Sequence, residues 1–320
     1  MEKDLIVITG ALGFIGYNVS KFFNDAGHTN LILVDREERP ERLKTLHCEQ
    51  YLSAEAFLEA PTELLNRVKA VVHLGASVNT GDTDREAVFK NNFEFSKKIF
   101  DLCAAHNIQL IYASSAATYG DGSKGFDDTQ RELLPQNYYA ASKHAFDEFV
   151  RDAKNGPPQV VGLKFFNVYG PFESHKGRMA STVLFSYQQA IQDGVIKLFR
   201  SYNPSYKDGE QKRDFIYVGD ISKVISFFLE HPEISGIYNL GTGKARTFTD
   251  LAKAVFAALG REPQIEFIEM PEQFKKQYQY FTEADISRLR AAGYMQPMKT
   301  LEEGVGEYVQ EYLEKGVFLD

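Results

Sequence analysis

The stretch LIVITGALGFIG (5–16) constrains this chain more than any other. LIVIT is a short, uncharged strand pattern, and glycines follow it at positions 10, 13 and 16. The segment FIGYNVSKFFNDAG then carries apolar residues at helical spacing and is closed by Gly27. Gly10 permits a tight turn, Gly13 lets a diphosphate approach backbone N–H groups, and Gly16 lets the helix pack on the strand. The spacing is GxxGxxG rather than GxGxxG, and glycine after a strand is often turn chemistry alone. Its position in the first strand–helix unit makes it a dinucleotide-binding loop, with Gly10, Gly13, Phe14, Ile15 and Gly16 at the phosphates.

Asp35 ends the second apolar run at the spacing expected of an acid that bonds an adenosine ribose. It also reads as an ordinary strand-end turn residue. Arg36 follows and could receive a 2′-phosphate. Asp35 argues for NAD and Arg36 for NADP, so these residues leave the cofactor as NAD(P).

The pattern continues. LILV (31–34), VVHL (71–74), LIYA (110–113) and VVGLKFF (160–166) are strand candidates, with helix-like segments at 84–106 and 139–154 between them. Apolar strands alternating with amphipathic helices predict an α/β fold: a Rossmann-type doubly wound parallel sheet. Beyond 166 the loops lengthen, and 251–260, 264–270 and 282–294 predict a smaller mixed α/β substrate-binding domain. The expected division is 1–166 for the nucleotide-binding domain, rejoined by about 213–240, with 167–212 and 241–320 mainly substrate-binding. With 320 residues, 43% apolar and 25% charged, the chain can bury cores for both parts.

The net charge of −8 gives no general attraction to nucleic acid or anionic membrane. Any anionic ligand must be met by local Lys or Arg. Cys48 and Cys103 lack metal-ligand spacing and cannot build a disulfide framework. MEKDLIVITG runs straight into a strand pattern without the features of a signal peptide, and no apolar run reaches membrane-spanning length. A cytoplasmic enzyme with a small-molecule substrate is the expectation. His73, in a strand run, is expected to be a core histidine.

NYYAASK (137–143) sets Tyr139 and Lys143 four apart on one helix face. A phenol titrates near 10, and a nearby ammonium is expected to lower it. With 17 tyrosines, YxxxK alone is weak. Here it follows ASSAATYG (113–120), where Ser115 can donate to a substrate oxygen; Ser114 and Ser115 could instead merely cap the strand end.

The glycine loop, the serines and YxxxK, in that order, resemble the extended short-chain dehydrogenase/reductase superfamily. That resemblance implies hydride transfer to and from a secondary alcohol by NAD(P), with Ser115, Tyr139 and Lys143 as the triad. Further blocks narrow it: FNVYGP (166–171), HKG and MAS on either side of Arg178 (175–181), KRDFIYVGD (212–220), GIYNLGTG (236–243) and LRAAGY (289–294). Spanning nearly the whole chain, they resemble the ADP-L-glycero-D-manno-heptose 6-epimerase family, which finishes a lipopolysaccharide core precursor. The resemblance makes Lys176 a second acid/base group. It also implies Asn92 and Val168 near the nicotinamide, Asn167 and Tyr278 at the substrate, and a homo-oligomer, a pentamer in that family. His175 could bond a sugar hydroxyl, and Arg213 suits a diphosphate.

The family favours NADP, but Glu37 and Glu38 after Arg36 oppose a phosphate, so NAD stays open. HLGA (73–76) and NTGDTD (79–84) also depart from the family near the expected sugar pocket. A 4,6-dehydratase does not fit, since Ala116 and Ala117 stand where it needs an acid pair. Another nucleotide-sugar epimerase, such as a 4-epimerase, is the nearest alternative. A non-catalytic NAD(P)-binding regulator is the other, although such a protein tends to lose the Tyr–Lys pair.

Overall fold

A computed structural model describes residues 3–275 and 278–318. Its strands, in chain order, are β1 (Leu5–Thr9), β2 (Leu31–Asp35), β3 (Gln50–Ser53), β4 (Val68–His73), β5 (Gln109–Ser115), β6 (Val160–Phe165), β7 (Asn167–Tyr169), β8 (Ile196–Phe199), β9 (Lys212–Tyr217), β10 (Gly236–Leu240), β11 (Ala245–Thr247) and β12 (Ile265–Ile268). Seven of them form one sheet in the order β10-β6-β5-β4-β1-β2-β3. Every neighbouring pair in it is parallel. This is the doubly wound α/β architecture that the alternating pattern predicts.

The period of two along each strand divides the apolar side chains between two cores. Ile6, Ile8, Leu31 and Leu33 face one side, where they pack with Val19 and Phe23 of the helix Phe14–Asp25 and with Ile221 and Val224 of the helix Val218–Glu230. Leu5, Val7, Ile32 and Val34 face the other, with Ile99 of the helix Phe95–Ala105 and Phe146 of the helix Tyr138–Asp152. Each such buried side chain contributes on the order of 1.5–3 kcal/mol.

Two details differ from the sequence reading. The edge strand β3, QYLS, carries no apolar run and escapes a search for buried strands; its side chains are half-buried or exposed. The segment expected as one helix over 84–106 is interrupted by a π-helical turn at Lys90–Glu94 between Arg85–Phe89 and Phe95–Ala105.

Outside the large sheet, β7 and β11 flank β9, and β8 pairs with β12. The helices Thr182–Gln192, Phe248–Ala258 and Leu301–Glu307 enclose a further core with Leu198 and Phe215. Among the described residues no helix is long and apolar enough to cross a membrane.

The order of the large sheet reverses beside β1, which lies between β2 and β4. Such a switch point opens a crevice beyond the carboxyl ends of the strands. The glycine loop follows β1 at that crevice.

Candidate active site

Gly10 has φ +66, and a Cβ on it would sit 2.7 Å from Gly75 N in the segment after β4. A Cβ on Gly16 would lie 2.0 Å from Gly10 O. The loop therefore holds β1, β4 and the helix Phe14–Asp25 closer together than any side chain permits. Gly13 is the N-cap of that helix and supplies no side-chain acceptor to it. The helix N-terminus thus opens into the crevice with backbone donors not capped by a side chain, as an anion site requires. These residues fit a dinucleotide diphosphate.

Gly10, Gly13, Phe14, Ile15 and Gly16 all line one cleft of about 750 Å³, which is large enough to enclose most of a small-molecule ligand. Asp35 and Arg36 line it at the end of β2. The Asp35 carboxylate accepts from Leu12 N at 2.8 Å and Arg36 N at 2.7 Å, so it also braces the glycine loop and the turn that follows β2. The strand-end turn reading of Asp35 accounts for these two bonds.

The opposite wall comes from β5, the helix Tyr138–Asp152 and the chain after β6. Asn137 caps that helix by accepting from Ala140 N, and Tyr139 and Lys143 share its cleft-facing side. Ser115, at the end of β5, lines the cleft with Tyr139 and accepts from Ala117 N at 3.1 Å. It thus caps the strand end and shares the cleft with the phenol.

The electrostatics differ from expectation. Burial pushes the Tyr139 phenol up, the bond from Ser115 opposes this, and the Asp147 charge adds to the rise. Lys143 stands one helical turn beyond Tyr139. Its ammonium donates to Ala113 O at 3.0 Å, and burial pushes it down to about 8 against the pull of Asp147. Desolvation outweighs the ion–phenol attraction, and the resting pair is a neutral phenol beside a weakened ammonium.

Behind this wall lies an ion pair that the sequence reading missed. Lys164 Nζ is 2.6 Å from Asp147 Oδ2, and both side chains are 1% exposed. Asp147 also accepts from Tyr112 and Ser114, and Lys164 donates to Thr118. Asp147 stands one helical turn beyond Lys143, and Ser114 pairs with Lys164 across β5 and β6. The network anchors the strand end that carries Ser115.

Asn92 is 1% exposed, and its neighbour Asn91 lines the cleft. The Asn92 amide accepts from Ser77 N at 2.7 Å and donates to Ser77 O at 3.0 Å and Ser142 Oγ at 3.1 Å. It holds the segment after β4 against the helix Tyr138–Asp152. The π turn at Lys90–Glu94 shifts the helical register there. His73 is a core histidine as expected: it bonds Thr9 Oγ1 and Ser96 Oγ, and burial pushes it down to about 3.

Asn167, Val168, His175 and Lys176 line the cleft from the far side. Lys176 lies in a 3₁₀ segment, Ser174–Met179, with its Nζ 4.8 Å from the Phe14 ring centroid and 3.9 Å from Glu173 Oε2. Burial lowers its ammonium and Glu173 opposes this. Glu173, also missed in the sequence, is fully buried and accepts from Ser181 N and Ser181 Oγ, both at 2.6 Å, closing the loop on itself.

Arg213 and Tyr278 meet each other beyond the cleft lining. Arg213 lies two residues before Phe215 on β9, and Phe215 does line the cleft. Its guanidinium is 5.4 Å from the Tyr278 ring and 5.6 Å from the Phe248 ring, and burial weakens it. Among the described residues no carboxylate pairs with it.

The match to known proteins follows this layout. The model of the "NAD dependent epimerase/dehydratase family" fits residues 6–241, from β1 through β10. The chain belongs to this family. An ADP-L-glycero-D-manno-heptose-6-epimerase of Fusobacterium nucleatum is 43% identical over 97% of the chain and 98% of its own length. One from Nitratidesulfovibrio vulgaris is equally similar, with the same coverage of both chains. The crystal structure of the Helicobacter pylori ADP-L-glycero-D-manno-heptose-6-epimerase superposes with a TM-score of 0.81 at 28% identity, covering 97% of this chain and 96% of that one.

Proposed function

We propose that the protein converts ADP-D-glycero-D-manno-heptose to ADP-L-glycero-D-manno-heptose by epimerisation at carbon 6 through a transient ketone. The observation that carries this reading is the convergence of Tyr139 with Ser115, and of Lys176 from a separate loop, on one cleft with the glycine loop. A nicotinamide nucleotide held there supplies a reversible hydride acceptor.

Inverting one carbon requires its hydrogen to leave from one face and return to the other. A fixed acceptor cannot change sides, so the ketone turns and its oxygen occupies two positions. One acid/base group serves each position. The buried phenol of Tyr139 is protonated at rest and suits donation to the ketone oxygen. Lys176, whose ammonium burial weakens, suits removal of the carbinol proton. In the reverse reaction the roles exchange. Ser115 orients the oxygen beside Tyr139, and Lys143 holds the nicotinamide ribose. Arg213 and Tyr278 receive the nucleotide end of the substrate, with the guanidinium on the diphosphate. His175 and Asn167 meet the sugar, and Val168 meets the nicotinamide. Ala117, which lines the cleft, has no proton to move, so elimination of water is disfavoured.

NADP is the preferred form in this proposal. Arg39 pairs with Glu37 at 2.8 Å, which offsets one of the charges that oppose a phosphate. Arg36 makes no ion pair among the described residues and lies 5.6 Å from the Phe95 ring, at the cleft edge. The nucleotide released on denaturing the purified protein identifies it: NADP supports Arg36 as phosphate partner, and NAD alone refutes it. The resemblance also supports a homo-oligomer, checked by light scattering.

NMR of the purified protein with ADP-D-glycero-D-manno-heptose and no added cofactor tests the main reading. Appearance of the L-glycero epimer is expected. No product, even after NAD or NADP is supplied to folded protein, overturns the heptose assignment and favours another nucleotide-sugar epimerase.

A further inference from the structure

Arg42 is the bulkiest fully buried side chain among the described residues, although it sits in a four-residue helix, Pro40–Leu43. A buried guanidinium is tolerated only where its donors are satisfied. Nη1 donates to Leu12 O at 2.9 Å, inside the glycine loop. Nη2 donates to Phe172 O at 2.8 Å and meets His175 Nδ1 at 2.8 Å. Arginine has no acceptor, so Nδ1 must accept, and a neutral His175 then carries its proton on Nε2. The guanidinium also lies 5.3 Å from the Tyr17 ring centroid, on the helix that follows the glycine loop.

The backbone that Arg42 grips is strained. Phe172 has φ 68, a left-handed conformation that costs a non-glycine residue on the order of 1–2 kcal/mol. Such a conformation persists only where its surroundings over-determine it. Here Arg42 holds the carbonyl, and the ring packs on Tyr17 at 4.8 Å. Next to it, Asn18 of the same helix donates to Pro171 O at 3.0 Å. The far end of the loop is closed by Glu173 on Ser181. Lys176 lies between these two anchors, one residue after His175.

We propose that Arg42 is a positioning residue that ties the loop carrying Lys176 to the glycine loop, so that the segment binding the nucleotide also sets the second acid/base group. This rests on the acid/base reading of Lys176.

The test is a double-mutant cycle on the full chain with its bound nucleotide. A displacement of about 1 Å at a reacting group costs on the order of 10²-fold. Arg42→Met is therefore expected to lower kcat by about 10²-fold, with KM within about threefold and nucleotide retained. In a Lys176→Met background, which itself loses about 10²–10⁴-fold, adding Arg42→Met is expected to change kcat by less than about threefold. A merely structural role would lower kcat by the same factor in both backgrounds. That result, or an Arg42→Met enzyme with wild-type kcat, overturns the proposal. If Arg42→Met does not fold, Arg42→Lys keeps the buried cation while a single nitrogen replaces the two that bond Leu12 O and Phe172 O. The same non-additivity is expected, and equal losses in both backgrounds overturn the proposal. A fully active Lys176→Met enzyme would instead refute the acid/base reading itself, and the proposal with it.

Discussion

Replacing Lys143 by Met should destroy turnover and make the nucleotide-free protein more stable at neutral pH. Burial pushes the ammonium from 10.5 down to about 8. At about 1.4 kcal/mol per pH unit, charging this group in the folded state costs on the order of 3 kcal/mol. Methionine fills nearly the same volume without the charge. It forfeits the bond to Ala113 O, worth about 1 kcal/mol. The expected net gain is on the order of 1–2 kcal/mol. Its sign with pH is fixed. The folded pKa lies below the unfolded one, so between them the unfolded chain binds more protons and wild-type stability rises with pH. The advantage of Lys143→Met is therefore full below about pH 8 and fades as pH rises towards 10.5. Urea denaturation of both nucleotide-free proteins across that range checks it. A variant less stable than wild type at neutral pH, or a gain that stays constant up to pH 10.5, refutes the reasoning.

Tyr139→Phe should lower kcat by about 10²–10⁴-fold while the nucleotide stays bound and KM changes little, as steady-state kinetics and released-nucleotide analysis would report. Lys164→Met leaves the Asp147 carboxylate buried and unpaired, and should destabilise by about 3–5 kcal/mol; adding Asp147→Asn should recover most of that in the urea midpoint. Gly16→Ala forces a Cβ to 2.0 Å from Gly10 O, and should cost about 1–3 kcal/mol together with nucleotide retention.

What the sequence made legible was local. The glycine loop and Tyr139 with Lys143 each lie in one short segment, where spacing brings the residues together, while HKG with Lys176 is read from the family resemblance. Alternating apolar strands and helices were equally plain, because a sheet buried on both faces leaves near-continuous apolar runs. The π turn at Lys90–Glu94 left no mark in the sequence, because the apolar period resumes on both sides of it. The clamps were illegible because their partners are distant. Arg42 bonds residues 30, 130 and 133 positions away. Nothing in PERL marks an arginine for burial. Lys164 did leave a signal, a lone charge inside the apolar strand VVGLKF. A buried strand lysine demands a carboxylate, and Asp147, eight residues after Tyr139 on the same helix face, was available to answer it.

In the proposed reaction carbon 6 is inverted by removing and returning its own hydrogen. Running the reaction in deuterium oxide tests it most directly, with NMR read at carbon 6 of the L-glycero product. Carbon 6 is expected to retain its original hydrogen and to take up no solvent deuterium. Deuterium at carbon 6 would mean that it exchanges a proton with water, and would contradict the ketone mechanism.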